Sequence, residues 1–246
     1  MTDTTMAPAP PAGLRVGQVF GRAFAIFFGD FFKFFLLTAV MWLPYLAFLA
    51  MARHPTGFSG GPALALSVVF WLVLNVIAQA VVLYGAIQKM RGQDFAIVES
   101  LRRGFARFFP ILGLIFCDGL GCGLASLLLI VPGAILWTMW IVGLPACVAE
   151  GLGPIESLKR SGYLTKGNRW RVFAVFLVFF LVNFFVQVIL QLLLAKIAGV
   201  PGVLAGTFLW TVLVQALYAI LIAVVYHDLR VAREGVDTER IAAVFD

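Results

Sequence analysis

One carboxylate, Asp118, stands in a stretch from Phe108 to Ala149 that carries no other charged side chain. At bilayer depth an ionised carboxylate costs at least a few kcal/mol unless it is protonated, paired or hydrated. Such a residue marks either an ion or proton path or a structural hydrogen bond between helices. Gly119, Gly121 and Gly123 follow it and allow close helix approach under both readings. Amides form a second pattern: Asn183, Gln187 and Gln191 recur every fourth residue, Asn75 and Gln79 repeat that step, and Gln215 stands alone. A four-residue step puts side chains on one helix face. An unsatisfied amide in hydrocarbon is expensive, so these groups are expected to point inward and to border a common polar region with Asp118. Interhelical hydrogen bonding and a polar substrate path are the two uses of such a region.

Other chemistry is thinly supplied. The chain has two histidines, His54 and His227, and no His-Glu-x-x-His zinc motif. Ser126 has no histidine within its apolar stretch to act as a base, which argues against a serine-type intramembrane protease. His227 beside Asp228 reads as an interfacial pair closing a helix. Cys117, Cys122 and Cys147 lack paired metal or redox spacing and read as buried free thiols. Neither catalytic residues nor a cofactor or metal is expected. Glu150 opens a more motif-like stretch, in which Gly151, Gly153 and Pro154 break one helix and Ser157, Lys159 and Arg160 begin another. One reading is an elbow contacting lipid headgroups, with Glu150, Arg103, Lys159, Arg160 and Lys166 as its candidate residues and Arg160 and Lys166 holding phosphate. The other is a turn that lays a surface helix along the membrane, with Glu150 bonded to basic neighbours.

The elements that carry these residues follow from composition. With 62% hydrophobic and 12% charged residues and a mean hydropathy of +1.02, the chain is far from a soluble domain. Apolar runs predict spans over 33–52, 64–88, 108–131, 133–150, 170–195 and 204–227, each near the roughly 20 residues that cross hydrocarbon. The third and fourth divide at Pro132-Gly133, where proline opens a helix without losing a needed N–H. Residues 1–13 read as a disordered cytoplasmic tail, 14–230 as one membrane domain and 231–246 as a second cytoplasmic tail.

Of the 18 Lys and Arg residues, only Arg53 and Lys196 fall on one side of this arrangement. The positive-inside rule then puts both termini in the cytoplasm and requires an even number of spans. The basic face suits anionic lipid headgroups. It offers no groove-reading element for nucleic acid. A membrane protein partner is the further class of contact.

Each hairpin of spans is preceded by a segment with apolar residues at helical spacing and a polar opposite face, read as an interfacial helix. Val98-Glu99-Ser100-Leu101-Arg102-Arg103-Gly104 returns as Ile155-Glu156-Ser157-Leu158-Lys159-Arg160-Ser161. Glu99 with Arg103, and Glu156 with Arg160, keep the order that supports a helix. A more degenerate copy has Gln18 and Arg22 at those places, with an apolar face of Val16, Phe20, Phe24 and Phe27. The expected face of the second copy is Val98, Leu101, Phe105 and Phe108. The fold is thus expected to be all-α, with six spans, three interfacial helices and a threefold repeat over about 14–90, 94–150 and 154–230.

From Val131 onward, Val131-Pro132-Gly133-Ala134, Pro145, Glu150-Gly151-Leu152-Gly153-Pro154, Ser157-Leu158-Lys159-Arg160-Ser161 and Leu164-Thr165-Lys166-Gly167-Asn168 form a pattern that resembles a known family. It is the bacterial membrane-domain family found attached to glycerophosphodiester phosphodiesterases, together with its stand-alone relatives. Tyr226-His227-Asp228-Leu229-Arg230 with Glu234-Gly235 is similar to the segment that closes those domains. The resemblance covers the second half well and the first half through hydropathy. It implies a six-helix membrane module and no phosphodiesterase activity, which in the fused proteins belongs to a separate soluble domain. The expected role is non-enzymatic: organising or handling membrane lipid, or modulating a membrane partner. The alternative is a small-solute or lipid transporter using Asp118 and the amides.

Overall fold

A computed structural model describes residues 14–52, 61–93 and 97–235. The expected tail over 1–13, the loop with Arg53 and His54, Phe95 and residues 236–246 with Arg240 lie outside the described residues. Within them the chain is helical, without a strand: α1 (Val16–Gly29), α2 (Phe31–Ala52), α3 (Gly61–Met90), α4 (Ile97–Ala106), α5 (Phe108–Leu128), α6 (Ile130–Trp140), α7 (Gly143–Glu150), α8 (Pro154–Thr165), α9 (Arg169–Ile197) and α10 (Gly199–Glu234). Six spans are long and apolar enough to cross a membrane: α2, α3, α5, α6 with α7, α9 and α10. The protein is therefore a multi-pass membrane protein. Its longest helix, α10, has 36 residues, about 54 Å at 1.5 Å per residue, so it overshoots a hydrocarbon core of about 30 Å. That overshoot carries the helix to Glu234, four residues into the expected C-terminal tail.

Local chemistry sets the breaks. The third and fourth spans part at Leu129, three residues before Pro132, which falls in the first turn of α6 where its missing N–H costs no bond. The fourth span breaks again at Ile141 and Val142. Pro145 cannot donate to the Ile141 carbonyl and would crowd it, so the helix restarts as α7. Gly151, with φ +73°, ends α7 in the left-handed conformation. Glu156 then accepts from the Gly153 N–H at 3.2 Å and opens α8. At its other end, Gly167 with φ +89° turns the chain into α9.

The buried core is not centred along the helices. It takes in α2 from Phe34 to Trp42, α3 from Ile77 to Ile87, α9 from Val172 to Phe179 and α10 from Val212 to Leu229. Among the described residues, none is buried after Trp42 on α2, before Ile77 on α3, after Phe179 on α9 or before Val212 on α10. All four buried stretches lie toward the ends marked by Lys33, Lys89, Arg169 and Arg230.

The short helices pack by faces that differ from those expected. On α1 the buried stripe is Val19, Ala23 and Phe27, while Phe24 is exposed. On α4 the buried residues are Ser100 and Gly104, and Val98 is 75% exposed with Phe105 also outside. The physical reason is close approach, because a Cβ at Gly104 would collide with Val81 on α3. On α8, Ser161 donates to the Met139 carbonyl at 2.7 Å and Thr165 to the same oxygen at 3.3 Å, tying that helix to α6.

Candidate functional site

Two polar groups stand out, one inside the spans and one at their charged ends. Inside, the amides bond one another. Gln79 Nε2 donates to Asn75 Oδ1 at 2.7 Å, the four-residue step along α3 bringing the two together. From α10, Gln215 Nε2 reaches the Asn75 carbonyl at 3.2 Å and Asn75 Oδ1 at 3.3 Å. Asn183 is taken by a different partner, accepting from Trp210 Nε1 at 3.0 Å across the α9–α10 hairpin.

Asp118 faces the protein. It lines a cavity of about 140 Å³ with Gln79, Trp137, Trp140 and Tyr218. Its carboxylate accepts a weak S–H bond from Cys122, one turn on, at 3.6 Å. The common polar region therefore joins Asp118 to Gln79 and, through it, to Asn75 and Gln215. The stripe of α9 is not part of it. Gln187 is half-buried and Gln191 exposed, on the stretch of α9 that follows its last buried residue, Phe179.

At the charged ends, Arg160 on α8 is the hub. Its Nε lies 3.0 and 2.9 Å from the two oxygens of Glu150 on α7, and its Nη1 lies 2.5 Å from Glu234 on α10. Arg230 closes the group on Glu234 at 3.2 Å, and the Tyr226 hydroxyl donates to Glu150. Burial works against the charge on Arg160, but its bonds to Glu234 and Glu150 outweigh it and hold the guanidinium above its usual pKa. Nearby, Arg107 Nη1 donates to the Gly151 carbonyl at 2.8 Å and its guanidinium covers the face of that glycine. Of the candidate elbow residues, Glu150 and Arg160 come together, Arg103 pairs locally with Glu99 at 2.8 Å, and Lys159 and Lys166 are exposed. Arg160 is thus held by two carboxylates of the chain itself, as the turn reading requires, and is not an open phosphate ligand.

Three further ion pairs lie at this end and involve the first helices. Arg22 meets Asp228 at 2.5 Å, and Asp30, between α1 and α2, meets Lys89 at 2.5 Å and Lys33 at 3.3 Å. The Lys89 bond is the main influence on Asp30, followed by burial, which opposes it, and by Lys33; together they hold its carboxyl below the ordinary value. Asp30 and Arg107 were not singled out in the sequence, and Tyr226, Arg230 and Glu234 entered only through the resemblance of the closing segment, without a role. The Arg230–Glu234 and Asp30–Lys33 pairs had local signals, their i,i+4 and i,i+3 spacings. Among the described residues, no three His, Cys, Asp or Glu side chains gather where a metal ion could be held.

Comparison with protein families, with curated proteins and with solved structures finds no match to this chain.

Proposed function

We propose that the chain is a non-enzymatic protein of the bacterial cytoplasmic membrane that organises or handles membrane lipid, anionic lipid above all, or modulates a partner within the bilayer. The observation that carries this reading is the closure of the polar interior. Its amides satisfy one another, and the cavity at Asp118, about 140 Å³, falls short of the roughly 300–1,000 Å³ of small-molecule sites. Cations, by contrast, are displayed: Arg15, Arg91, Arg102, Lys159, Lys166 and Arg171 are all exposed at the charged ends. Each cation near an anionic surface contributes about 1 kcal/mol of attraction.

The repeat belongs to the same proposal. Val19 and Ala23, Ser100 and Gly104, and Ser157 and Ser161 occupy equivalent places in the three copies, and all six are buried. The equivalent Arg22, Arg103 and Arg160 are all ion-paired. These coincidences support one unit, an interfacial helix followed by an apolar hairpin, used three times. The uneven division of basic residues supports cytoplasmic termini; reporter fusions to the two ends should give the same cytoplasmic signal, and opposite signals would reject it.

Native mass spectrometry after release from nanodiscs of mixed phosphatidylcholine and phosphatidylglycerol tests the lipid reading. Retained lipid should be richer in phosphatidylglycerol than the bulk, with the excess falling as salt rises. No excess would reject the reading. A transport reading has one observation in its favour, the placement of Asp118 in a cavity with Gln79. It requires Asp118→Asn to abolish solute or proton flux in proteoliposomes while the protein stays folded. The lipid reading expects that variant to fold and to keep its lipid preference.

A further inference from the structure

A larger cavity, about 470 Å³, lies between the tip of the α5–α6 hairpin and the first turns of α9. Ile130, Val131 and Ile135 form one wall, and Trp170 and Phe173 the other. Thr138 and Arg169 complete the lining. Its volume is within the roughly 300–1,000 Å³ range of ligand sites. Arg169 Nε is buried there without a hydrogen-bond partner, and no carboxylate among the described residues pairs with its guanidinium. A buried, unpaired guanidinium N–H is expensive and calls for an acceptor. An apolar groove with one such cation in its lining is complementary to a membrane molecule that joins a hydrocarbon chain to an anionic group.

The neighbouring chain fits a headgroup depth. Lys166, Arg169 and Arg171 lie within six residues that contain no acid, and Trp170, 81% exposed, is of the type that settles at a membrane–water boundary. The facing tip is unlike the turn of a hairpin that reaches water. From Leu127 to Gly133 it holds no polar side chain, and Leu127 and Ile130 are more than 80% exposed. Because the tip shares a cavity with Arg169 and Trp170, it lies at the level of the first turns of α9.

We infer that this groove is a phospholipid site: the phosphate of an anionic phospholipid bonds Arg169, one acyl chain runs along Ile130, Ile135 and Phe173, and the α5–α6 hairpin lies in the leaflet where α9 begins. The inference rests on the lipid-handling reading and adds a place and a ligand class to it. It is independent of the count of crossings, since a hairpin returns to its own side in either case.

The test uses the full-length protein in phosphatidylcholine nanodiscs carrying a trace of phosphatidylglycerol with a photoreactive group on one acyl chain. Peptide mapping after illumination should place the label within residues 130–138 and 169–173. Arg169→Gln should reduce that labelling roughly fivefold, which is what about 1 kcal/mol from one cation amounts to. Arg169→Lys should restore much of it. Ala134→Trp, which fills the groove and leaves the cation, should also reduce it. Arg171→Gln, whose guanidinium bonds Asn168 outside the groove, should not. Equal labelling by a phosphatidylcholine probe, or labelling spread over all exposed apolar faces and indifferent to Arg169, would overturn the assignment. If the native protein still retains excess phosphatidylglycerol in that event, only the site falls. If it retains none, the broader lipid reading falls with it.

Discussion

Gly151 and Gly167 carry the same backbone demand with different surroundings, which makes them a matched pair. Both have positive φ, where a Cβ costs about 1–2 kcal/mol. Open space surrounds Gly167, so Gly167→Ala should lose only that amount. At Gly151 an added methyl meets the Arg107 guanidinium, and the bond from Arg107 to the Gly151 carbonyl must give way. Gly151→Ala should therefore lose about 1.5–3 kcal/mol more, the worth of a charge-assisted hydrogen bond. Unfolding titrations in mixed micelles measure both, and equal losses would count against Arg107 as a strap across the α7–α8 corner. Asp30 gives the pH dependence. Its folded-state pKa lies below the ordinary value of 3.8, so its contribution is complete above that value and is lost as pH falls through the lower folded value. Asp30→Asn should be less stable than the native chain at pH 7, and the gap should close on acidification below about pH 4. A gap that does not narrow on acidification would mean that the ion pairs to Lys89 and Lys33 are not its source.

At the scale of elements, α4 and α8 are expected to lie along the membrane surface. On α4, Val98 and Phe105 are left outside the protein while Ser100 and Gly104 press against α3, an arrangement suited to apolar side chains dipping into the interface. Spin labels at Arg102 and Lys159 should report interfacial depth, and a mid-bilayer reading would sink the idea together with the repeat. These helices also mark how far sequence could go. Their existence was legible because apolar periodicity and breaker residues are local signals, and the long spans are little more than uninterrupted apolar runs. Their buried faces were not. Periodicity identifies an apolar stripe, but in a membrane both lipid and protein accept apolar side chains, so small residues mark the packed face and large ones need not. The same ambiguity explains Gln191, whose alignment with Asn183 and Gln187 pointed inward although its side chain is exposed. Partners distant in sequence were equally out of reach. Glu150 and Arg160 shared a motif, but their link through Glu234 depends on where α10 ends.

For the whole molecule, packing that stops partway along the helices has a mechanical consequence. The two leaflets of a bilayer press on a protein separately. In the leaflet around Phe34, Leu83, Phe176 and Leu221 that pressure meets close-packed side chains of low compressibility. In the other it meets two helical hairpins with no buried contact beyond their own, the kind of region that yields first. Lateral tension confined to that second leaflet is therefore expected to swing the free ends of α2–α3 and α9–α10 about a fulcrum near the last buried level, where the Tyr218 ring stacks on Phe179 and meets Phe176 edge to face. Adding lysolipid to that leaflet should change the distance between spin labels at Leu46 and Leu192 while leaving labels at Gly17 and Lys159 in place; equal movement of both pairs would mean a rigid body. On this geometry the chain is a pair of levers, and an imbalance of pressure between leaflets is the force that moves them.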